Sequence, residues 1–425
     1  MAHFGLLSPP GTSHVTAITT IARELVRRGH RATAFNFLDV EDLVAREGIE
    51  FCPLGIRQHP KGSVPRNFEI LGRMGGLKFL RFGMKLATLE IINLLEEAPE
   101  AMQATGVTAL LVDAGQPAGS TIAEKLGVPF VTICNALHSH PDPAVPPPIT
   151  GWGPATSAAT RVRNLVTWRL YDWGVSPLRR KVNTYRKVWG LKPLRTIYET
   201  FSPLLELAQE SADFDFPMRL VPPQFHYIGL IHRTYAANIS FPFERLDGRT
   251  LIYASLGTVY DNQLMFRKIA QACANLGLQL VITLGSKGDV TSYADLPGSP
   301  IVVNYAPQHA VLERTAITIC HSGHNTVLDS LAYGVPVIAI PVQTADTGVA
   351  ARLHHSGAGE WIKLNRLTSA HLCTVLRRVL SDPTYKQRAQ AMGESLELAG
   401  GERRAADLIE QKLGFREQAA VPVQA

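Results

Sequence analysis

The residues with the clearest chemical potential are His321-Ser322-Gly323-His324-Asn325-Thr326, which separate the apolar run TAITIC from a helical pattern. A helix that begins here would present free N–H groups and a partial positive charge, which favour phosphate. Gly323 lets the backbone approach a ligand closely, and His321 can donate a ring hydrogen bond to a phosphate oxygen. Asn325 and Asp329 are four residues apart and so share a helix face. From that face Asn325 can reach phosphate or sugar, and Asp329 can accept hydrogen bonds from ribose hydroxyls. The alternative is a polar helix cap in which His321 is bonded within a loop.

Two neighbouring stretches would extend such a site. Tyr305-Ala306-Pro307-Gln308 follows the strand pattern PIVVNY and suits a nucleobase, which would stack on Tyr305 and bond the Ala306 backbone and the Gln308 amide. An aromatic core residue followed by a turn proline is the other interpretation. Ser255-Leu256-Gly257-Thr258 follows the strand pattern TLIYA and could offer the hydroxyls of Ser255 and Thr258 to a diphosphate.

Apolar strand patterns alternate with helical patterns along the chain, and these elements must position the residues named above. Such alternation is typical of parallel α/β sheets. Ligands of such sheets collect at the carboxyl ends of the strands. The alternation lapses after Ile231 and restarts near Thr250. We therefore expect two facing Rossmann-like domains, residues 1–232 and 249–415, joined by a linker at 233–248. A C-terminal helical pattern from about Leu367 to Leu413 precedes a tail, 416–425, that we expect to be disordered.

Composition excludes several classes of protein. The chain has 425 residues, 46% of them hydrophobic, which fits a folded protein of two or three domains. Its five scattered cysteines form no CxxC pair, so we expect neither a disulfide framework nor a zinc site, and a reducing cytoplasm is the simplest setting. We predict no transmembrane helix and no signal peptide.

The positive charge is concentrated in residues 156–195, which hold ten Lys or Arg residues but one acid, Asp172. Trp168, Trp173 and Trp189 are among the aromatic residues interleaved with them. The pattern fits a solvated helical face with aromatic anchors, or contact with anionic lipid headgroups. Nucleic acid is disfavoured because no binding module accompanies the patch.

Taken together, these stretches resemble the donor signature of glycosyltransferase family 1, the nucleotide-sugar-dependent transferases with the GT-B fold. The matching parts are Tyr305-Ala306-Pro307-Gln308, His321 to Thr326, Asp329 and Gly334-Val335-Pro336. Within the family, FHYIGLI and GVAARLHHSGAGEWI resemble the bacterial zeaxanthin glucosyltransferases. The family carries an Asp-Gln pair that holds the sugar, whereas this chain has Ala345 and Asp346 at those positions. The departure leaves two alternatives: Asp346 acts alone, or the sugar is not glucose.

The resemblance also implies a catalytic pair. The family carries a histidine in the loop after the first strand and a carboxylate that orients it, and His14 and Asp113 match them. An imidazole suits a general base that removes the proton of an acceptor hydroxyl near neutral pH. The alternatives are that His14 is only a loop histidine at the start of a helix and that Asp113 only caps the end of a strand.

The implied activity is inverting, metal-independent transfer of a hexose, with glucose the first choice, from a UDP-sugar to a lipophilic alcohol such as a hydroxycarotenoid. No cofactor and no nucleic acid partner are expected, and the setting is the cytoplasm, with contact to the inner face of the membrane as an option. Macrolide, flavonoid or sterol-like acceptors, a thymidine nucleotide donor, a non-catalytic nucleotide-sugar-binding subunit and an epimerase remain open alternatives.

Overall fold

The fold was analysed in a computed structural model that describes residues 1–232, 239–257, 263–285 and 289–415. Thr258, the predicted tail at 416–425 and part of the predicted linker lie outside these residues. The described chain forms two parallel sheets, a seven-stranded one with the order β3-β2-β1-β4-β5-β6-β7 and a six-stranded one with the order β10-β9-β8-β11-β12-β13. The expected class, an α/β protein with two Rossmann-like sheets, is confirmed.

The first sheet and its helices span most of the N-terminal half. Its strands are β1 His3–Leu7, β2 Arg31–Asn36, β3 Glu50–Pro53, β4 Ala109–Asp113, β5 Phe130–Cys134, β6 Glu206–Ala208 and β7 Phe225–Tyr227. Its helices are α1 Thr12–Arg27, α2 Glu41–Arg46, α3 Ser63–Gly72, α4 Gly76–Thr105, α5 Gly119–Leu126 and α6 Ala158–Val188.

The second sheet repeats this arrangement. Its strands are β8 Leu251–Ser255, β9 Gln279–Thr283, β10 Ile301–Val303, β11 Thr315–Cys320, β12 Val337–Ala339 and β13 Gly359–Trp361. The helices of this half are α7 Gln263–Asn275, α8 Gln308–Leu312, α9 His324–Ala332, α10 Thr344–Ser356, α11 Ser369–Ser381, α12 Pro383–Leu398 and α13 Gly401–Lys412.

Parallel pairing fixes which side chains share a sheet edge. In the first sheet Leu7 pairs with Val112, so the loop after β1 and the end of β4 emerge together. In the second sheet Cys320 pairs with Ser255, and Ser255 pairs with Thr283. Every residue of β1, β4, β8 and β9 is buried, as expected of strands covered by helices on both faces.

The C-terminal helical pattern is three helices rather than one. Pro383 opens α12, and Gly400, with a positive φ of 91°, precedes α13. The last helix returns to the first sheet, where Ala405 and Ile409 belong to the same buried cluster as Ile18 of α1. A Cβ at Gly401 would lie 2.5 Å from the Leu230 carbonyl oxygen, so this crossing requires glycine.

None of the helices in the described part of the chain is long and apolar enough to cross a membrane. The five cysteines are free thiols, and four of them are buried.

Candidate active site

The first sheet brings His14 and Asp113 together as predicted. His14 lies in the first turn of α1, Asp113 is the last residue of β4, and His14 Nδ1 is 2.8 Å from Asp113 Oδ2. The other carboxylate oxygen of Asp113 accepts a hydrogen bond from the Gly115 backbone at 2.7 Å. Asp113 is therefore held on both oxygens, and the second ring nitrogen of His14 is directed away from it.

Exposure and charge make His14 a usable base. Its side chain is 28% exposed whereas that of Asp113 is 2% exposed, so the imidazole can meet a ligand and the carboxylate cannot. Burial lowers the pKa of His14, but the charge and hydrogen bond of Asp113 outweigh it and the pKa is raised. A carboxylate placed in this way orients the ring and stabilises the imidazolium that forms when the ring takes a proton.

An apolar cavity of about 180 Å³ adjoins the β1–α1 loop, which leads into the helix turn that carries His14. Its lining residues come from the β1–α1 loop, α3, α4 and their neighbours: Pro9, Pro10, Phe37, His59, Val64, Asn67, Phe68, Leu71, Gly83, Leu86, Ala87 and Glu90. Glu90 is the single carboxylate in this lining, and Gln116, near Asp113, donates to it at 2.7 Å. Burial raises the pKa of Glu90 to about 8, so the group is a neutral carboxylic acid at neutral pH. Nothing in the sequence pattern marked Glu90, which lies in a long helix.

The second sheet places His321 at the end of β11, in a space that two glycines create. A Cβ at Gly323 would lie 2.6 Å from the His321 ring, and one at Gly257, whose φ is 74°, would lie 2.7 Å from it. Burial lowers the pKa of His321, opposed by Asp346 and a hydrogen bond to the Ser255 backbone, so the ring is neutral at pH 7. Ser322, with a positive φ of 73°, makes the sharp turn from this strand into α9.

The first turn of α9 contacts the first domain. Asn325 Oδ1 accepts a hydrogen bond from Gln209 Nε2 at 2.5 Å, and Gln209 directly follows β6. This contact joins residues of the two sheets and was not predicted. Gly323 is the N-cap of α9 and provides no side chain, so the start of the helix is open to a ligand. Thr326 lies in the same turn and is partly exposed.

The predicted base and ribose residues form a connected chain of hydrogen bonds. Gln308, the first residue of α8, donates to Asp329 Oδ2 at 2.8 Å and accepts from the Tyr253 hydroxyl at 3.3 Å. Asp329 is buried, so in this state its carboxylate orients the Gln308 amide. Tyr305 is half-exposed and donates to the Gly285 carbonyl at 3.1 Å, and Ala306 beside it is buried.

Asp346 has a local structural role. Its Oδ2 accepts hydrogen bonds from the backbone of Gln343 at 2.9 Å and of Val342 at 3.2 Å, which caps the start of α10. Burial raises its pKa, opposed by the nearby His321 and by the two backbone bonds. Asp346 therefore lies close to the predicted phosphate region, while Ala345 is exposed.

His324 is buried between the two domains. Its Nδ1 is 3.1 Å from the Asn135 carbonyl oxygen, and its Nε2 is 3.6 Å from Glu210 Oε2. Both oxygens of Glu210 are buried without a hydrogen-bond partner among the described residues.

The Asp213-Phe214-Asp215 sequence resembles a metal-binding DxD, but its surroundings in the sequence favour a surface turn. Only one of its two acids has the exposed position expected of such a turn. Asp213 is exposed, but Asp215 is buried and accepts hydrogen bonds from Arg352 and His138, each at 2.6 Å. His138, Glu210 and Asp215 could together offer ligand atoms to a metal, but the Arg352 guanidinium already supplies a cation to Asp215.

The chain has two parallel Rossmann-like sheets, and the loops after the strands of the second sheet meet near the first turn of α9. This architecture defines the GT-B class of glycosyltransferases. Solved structures share this fold over nearly the whole chain. The kitacinnamycin glycosyltransferase matches with a TM-score of 0.76 and 21% identity, covering 97% of this chain and 98% of that one. The calicheamicin glycosyltransferase also matches at 0.76, with 20% identity and coverage of 99% and 100%.

The model of the family described as "UDP-glucoronosyl and UDP-glucosyl transferase" matches residues 91–395, and the chain belongs to this family. It is therefore an enzyme of glycosyl transfer that uses UDP-sugars. The zeaxanthin glucosyltransferase of Pantoea ananas is 32% identical over 97% of this chain and 96% of its own. That of Pseudescherichia vulneris is 33% identical over 98% and 99%. The predicted resemblance to this group is confirmed.

Proposed function

We propose that the protein transfers a hexose, with glucose the first choice, from a UDP-sugar to a hydroxyl group of a lipophilic acceptor such as a hydroxycarotenoid. The transfer inverts the anomeric centre and needs no metal. The observation that carries this proposal is the 2.8 Å pair of His14 and Asp113 beside an apolar cavity. The two relatives named for zeaxanthin support the choice of acceptor.

In the proposed reaction His14 acts as the general base. Its Nδ1 carries the proton bonded to Asp113, so Nε2 has the free electron pair that takes the proton of the acceptor hydroxyl. The acceptor oxygen attacks the anomeric carbon from the side opposite the diphosphate. The bond from that carbon to the phosphate oxygen breaks, and UDP leaves with the electron pair. One direct displacement of this kind inverts the anomeric configuration.

The leaving diphosphate would be stabilised by groups of the second sheet. The N-terminal end of α9 offers free N–H groups. The neutral ring of His321 has one N–H, bonded here to the Ser255 backbone, which would turn to a phosphate oxygen when the diphosphate binds. These donors are neutral, which supports a reaction without a cation. Ser255, Asn325, Thr326 and Asp346 are proposed to complete the contacts with diphosphate and sugar. Tyr305, Ala306, Gln308 and Asp329 are proposed to hold uridine.

The cavity supports an acceptor with an apolar body and a polar end. It is smaller than the roughly 300–1,000 Å³ of a usual small-molecule pocket, so it suits one end of a long molecule. Glu90, protonated at neutral pH, can donate a hydrogen bond to the acceptor oxygen without repelling the electron pair that forms on it. We place the reaction in the cytoplasm, in contact with the inner face of the membrane, where a carotenoid would be dissolved.

The test is to incubate the purified protein with UDP-glucose and zeaxanthin and to identify the products by mass spectrometry. We expect a glycoside whose anomeric configuration, determined by NMR, is opposite to that of the donor. Its yield should be the same in EDTA as in magnesium. His14→Ala should abolish it, whereas His371→Ala, an exposed histidine of the second domain, should not.

Several results would redirect the proposal. Glucosylation of macrolide, flavonoid or sterol-like alcohols but not of zeaxanthin would change the acceptor. UDP binding without any transfer would favour the non-catalytic subunit, although the His14–Asp113 pair argues against that function because a binding protein has no need of a base. Loss of turnover in EDTA with recovery in magnesium would contradict metal independence.

A further inference from the structure

The outward face of α6 is unusual for a surface helix because it exposes large apolar side chains. Trp173 is 74% exposed, and Val162, Leu165, Val166 and Leu170 are between 44% and 60% exposed. These residues recur at intervals of three and four, so they form one stripe over three turns of the helix. An amphipathic surface helix normally directs such residues into the core.

The opposite face of the same helix already anchors it to the domain. Trp168 is buried and its indole N–H donates to the Val145 carbonyl at 2.9 Å. Val182 is buried in the cluster beneath the helix, and Arg186 donates to Glu124 at 2.7 Å. The exposed stripe therefore contributes nothing that the described fold needs for its packing.

Positive charge accompanies the apolar stripe. Arg169, Arg180 and Lys187 are exposed on the same face. No acidic residue of this helix, all of which the structure describes, is exposed. Asp172, its one acid, is partly buried, accepts from the Ile197 backbone at 2.7 Å and pairs with Arg179.

We propose that this surface, the α6 face, docks the protein on an anionic lipid bilayer. The α6 face comprises Val162, Leu165, Val166, Leu170 and Trp173 with Arg169, Arg180 and Lys187. Apolar side chains on one face of a helix insert at the boundary of headgroups and acyl chains, and tryptophan prefers that depth. Flanking cations then pair with lipid phosphates. The combination of exposed apolar groups, cations and no exposed acid distinguishes a bilayer from a protein partner.

The docking surface would give the enzyme access to an acceptor dissolved in the membrane, and to that extent it rests on the proposed function. Binding to vesicles is nevertheless measured without donor or acceptor. A protein that binds vesicles but does not glucosylate zeaxanthin refutes the acceptor, and one that glucosylates dispersed zeaxanthin but ignores vesicles refutes the docking surface.

The experiment is co-sedimentation of the full chain with vesicles of phosphatidylcholine alone or mixed with phosphatidylglycerol. We expect binding to the mixed vesicles that weakens with salt, and little binding to the neutral ones. Arg169→Gln, Arg180→Gln and Lys187→Gln should each weaken binding about fivefold. The combined variant Val166→Ser/Leu170→Ser/Trp173→Ser should weaken it roughly tenfold or more.

Matched controls come from exposed positions of the second half. The apolar control is Leu364→Ser/Leu380→Ser/Leu398→Ser, and the charge control combines Arg377→Gln, Lys386→Gln and Arg388→Gln. Both should bind mixed vesicles as the wild type does. Binding that is lost equally in test and control variants would refute the assignment of the α6 face. So would unchanged vesicle binding combined with loss of self-association in light scattering, which would make this face an interface between two copies.

Discussion

The pair formed by His14 and Asp113 makes a sharp prediction about pH. A general base must be neutral, so kcat/KM rises with pH through the pKa of His14. The carboxylate of Asp113 keeps that pKa raised in spite of burial. Asp113→Asn removes the charge and keeps the shape of the side chain. We therefore expect the acid limb of the pH profile to move to lower pH in this variant, while the plateau falls.

The size of the fall follows from the 2.8 Å contact to Nδ1. The carboxylate accepts a hydrogen bond from Nδ1–H, which keeps the proton on that nitrogen and leaves the electron pair of Nε2 free to act as the base. An asparagine amide that donates to Nδ1 would stabilise the opposite tautomer, in which Nε2 already carries a proton. A positioned base contributes a factor of roughly 10²–10⁴ in rate, or about 2.7–5.5 kcal/mol. His14→Ala loses this whole factor, and Asp113→Asn is expected to lose most of it.

The assay is the initial rate of UDP release at saturating donor and limiting acceptor, measured from acidic to alkaline pH for wild type and both variants. His371→Ala is the control for loss of an imidazole elsewhere. The reasoning is refuted if His14→Ala keeps the wild-type kcat/KM. It is also refuted if the acid limb of Asp113→Asn moves to higher pH, because a lost carboxylate cannot raise the pKa of its neighbour.

Three further predictions use other parts of the structure. Gly323→Ala places a Cβ 2.6 Å from the His321 ring, so UDP affinity measured by calorimetry should fall roughly tenfold, and unchanged affinity would contradict the predicted role of that ring. The acceptor KM should rise as pH passes about 8, where Glu90 loses its proton, and Glu90→Gln should abolish this dependence. A bond to Glu402, opposed by burial, raises the pKa of His232 to about 9. Its stabilising effect is complete below its ordinary pKa of 6.5 and is lost as pH rises through about 9, so urea unfolding of His232→Gln should lack that decline. The difference should stay below ~1 kcal/mol because the His232 side chain is 45% exposed.

Much of the second half of the molecule could be predicted from local pattern. Apolar runs bounded by small residues mark buried parallel strands, and the ends of such strands must meet at one edge. For this reason Ser255 and His321, sixty-six residues apart in sequence, could be placed on the same side of a sheet before any coordinates. The C-terminal helical pattern was predicted as such, but its division into three helices was not, because the hydrophobic period alone does not show that Pro383 begins one helix and that Gly400 precedes another.

Contacts between the domains could not be predicted in the same way. Gln209 and Asn325 are 116 positions apart and belong to different domains, and no period or motif connects them. The properties of Glu90 are equally hidden, since its pKa depends on burial and on Asp113, both of which arise only when the chain has folded. A sequence pattern reports which face of an element is buried, but not which distant side chain covers it.

These unpredicted contacts tie the two halves of the proposed reaction together. The first turn of α9 is expected to hold the leaving diphosphate. Two residues of the first domain contact this turn: Gln209 donates to Asn325, and the Asn135 carbonyl lies against the His324 ring. Farther along, Gly348 of α10 approaches Pro148 so closely that a Cβ would lie 2.0 Å from its carbonyl oxygen. Under the proposed function, a donor seated on α9 would therefore be oriented by residues of the domain that carries His14. These packed contacts would then set the position of the anomeric carbon relative to His14, and we expect a change in any of them to lower the rate of transfer without touching either substrate.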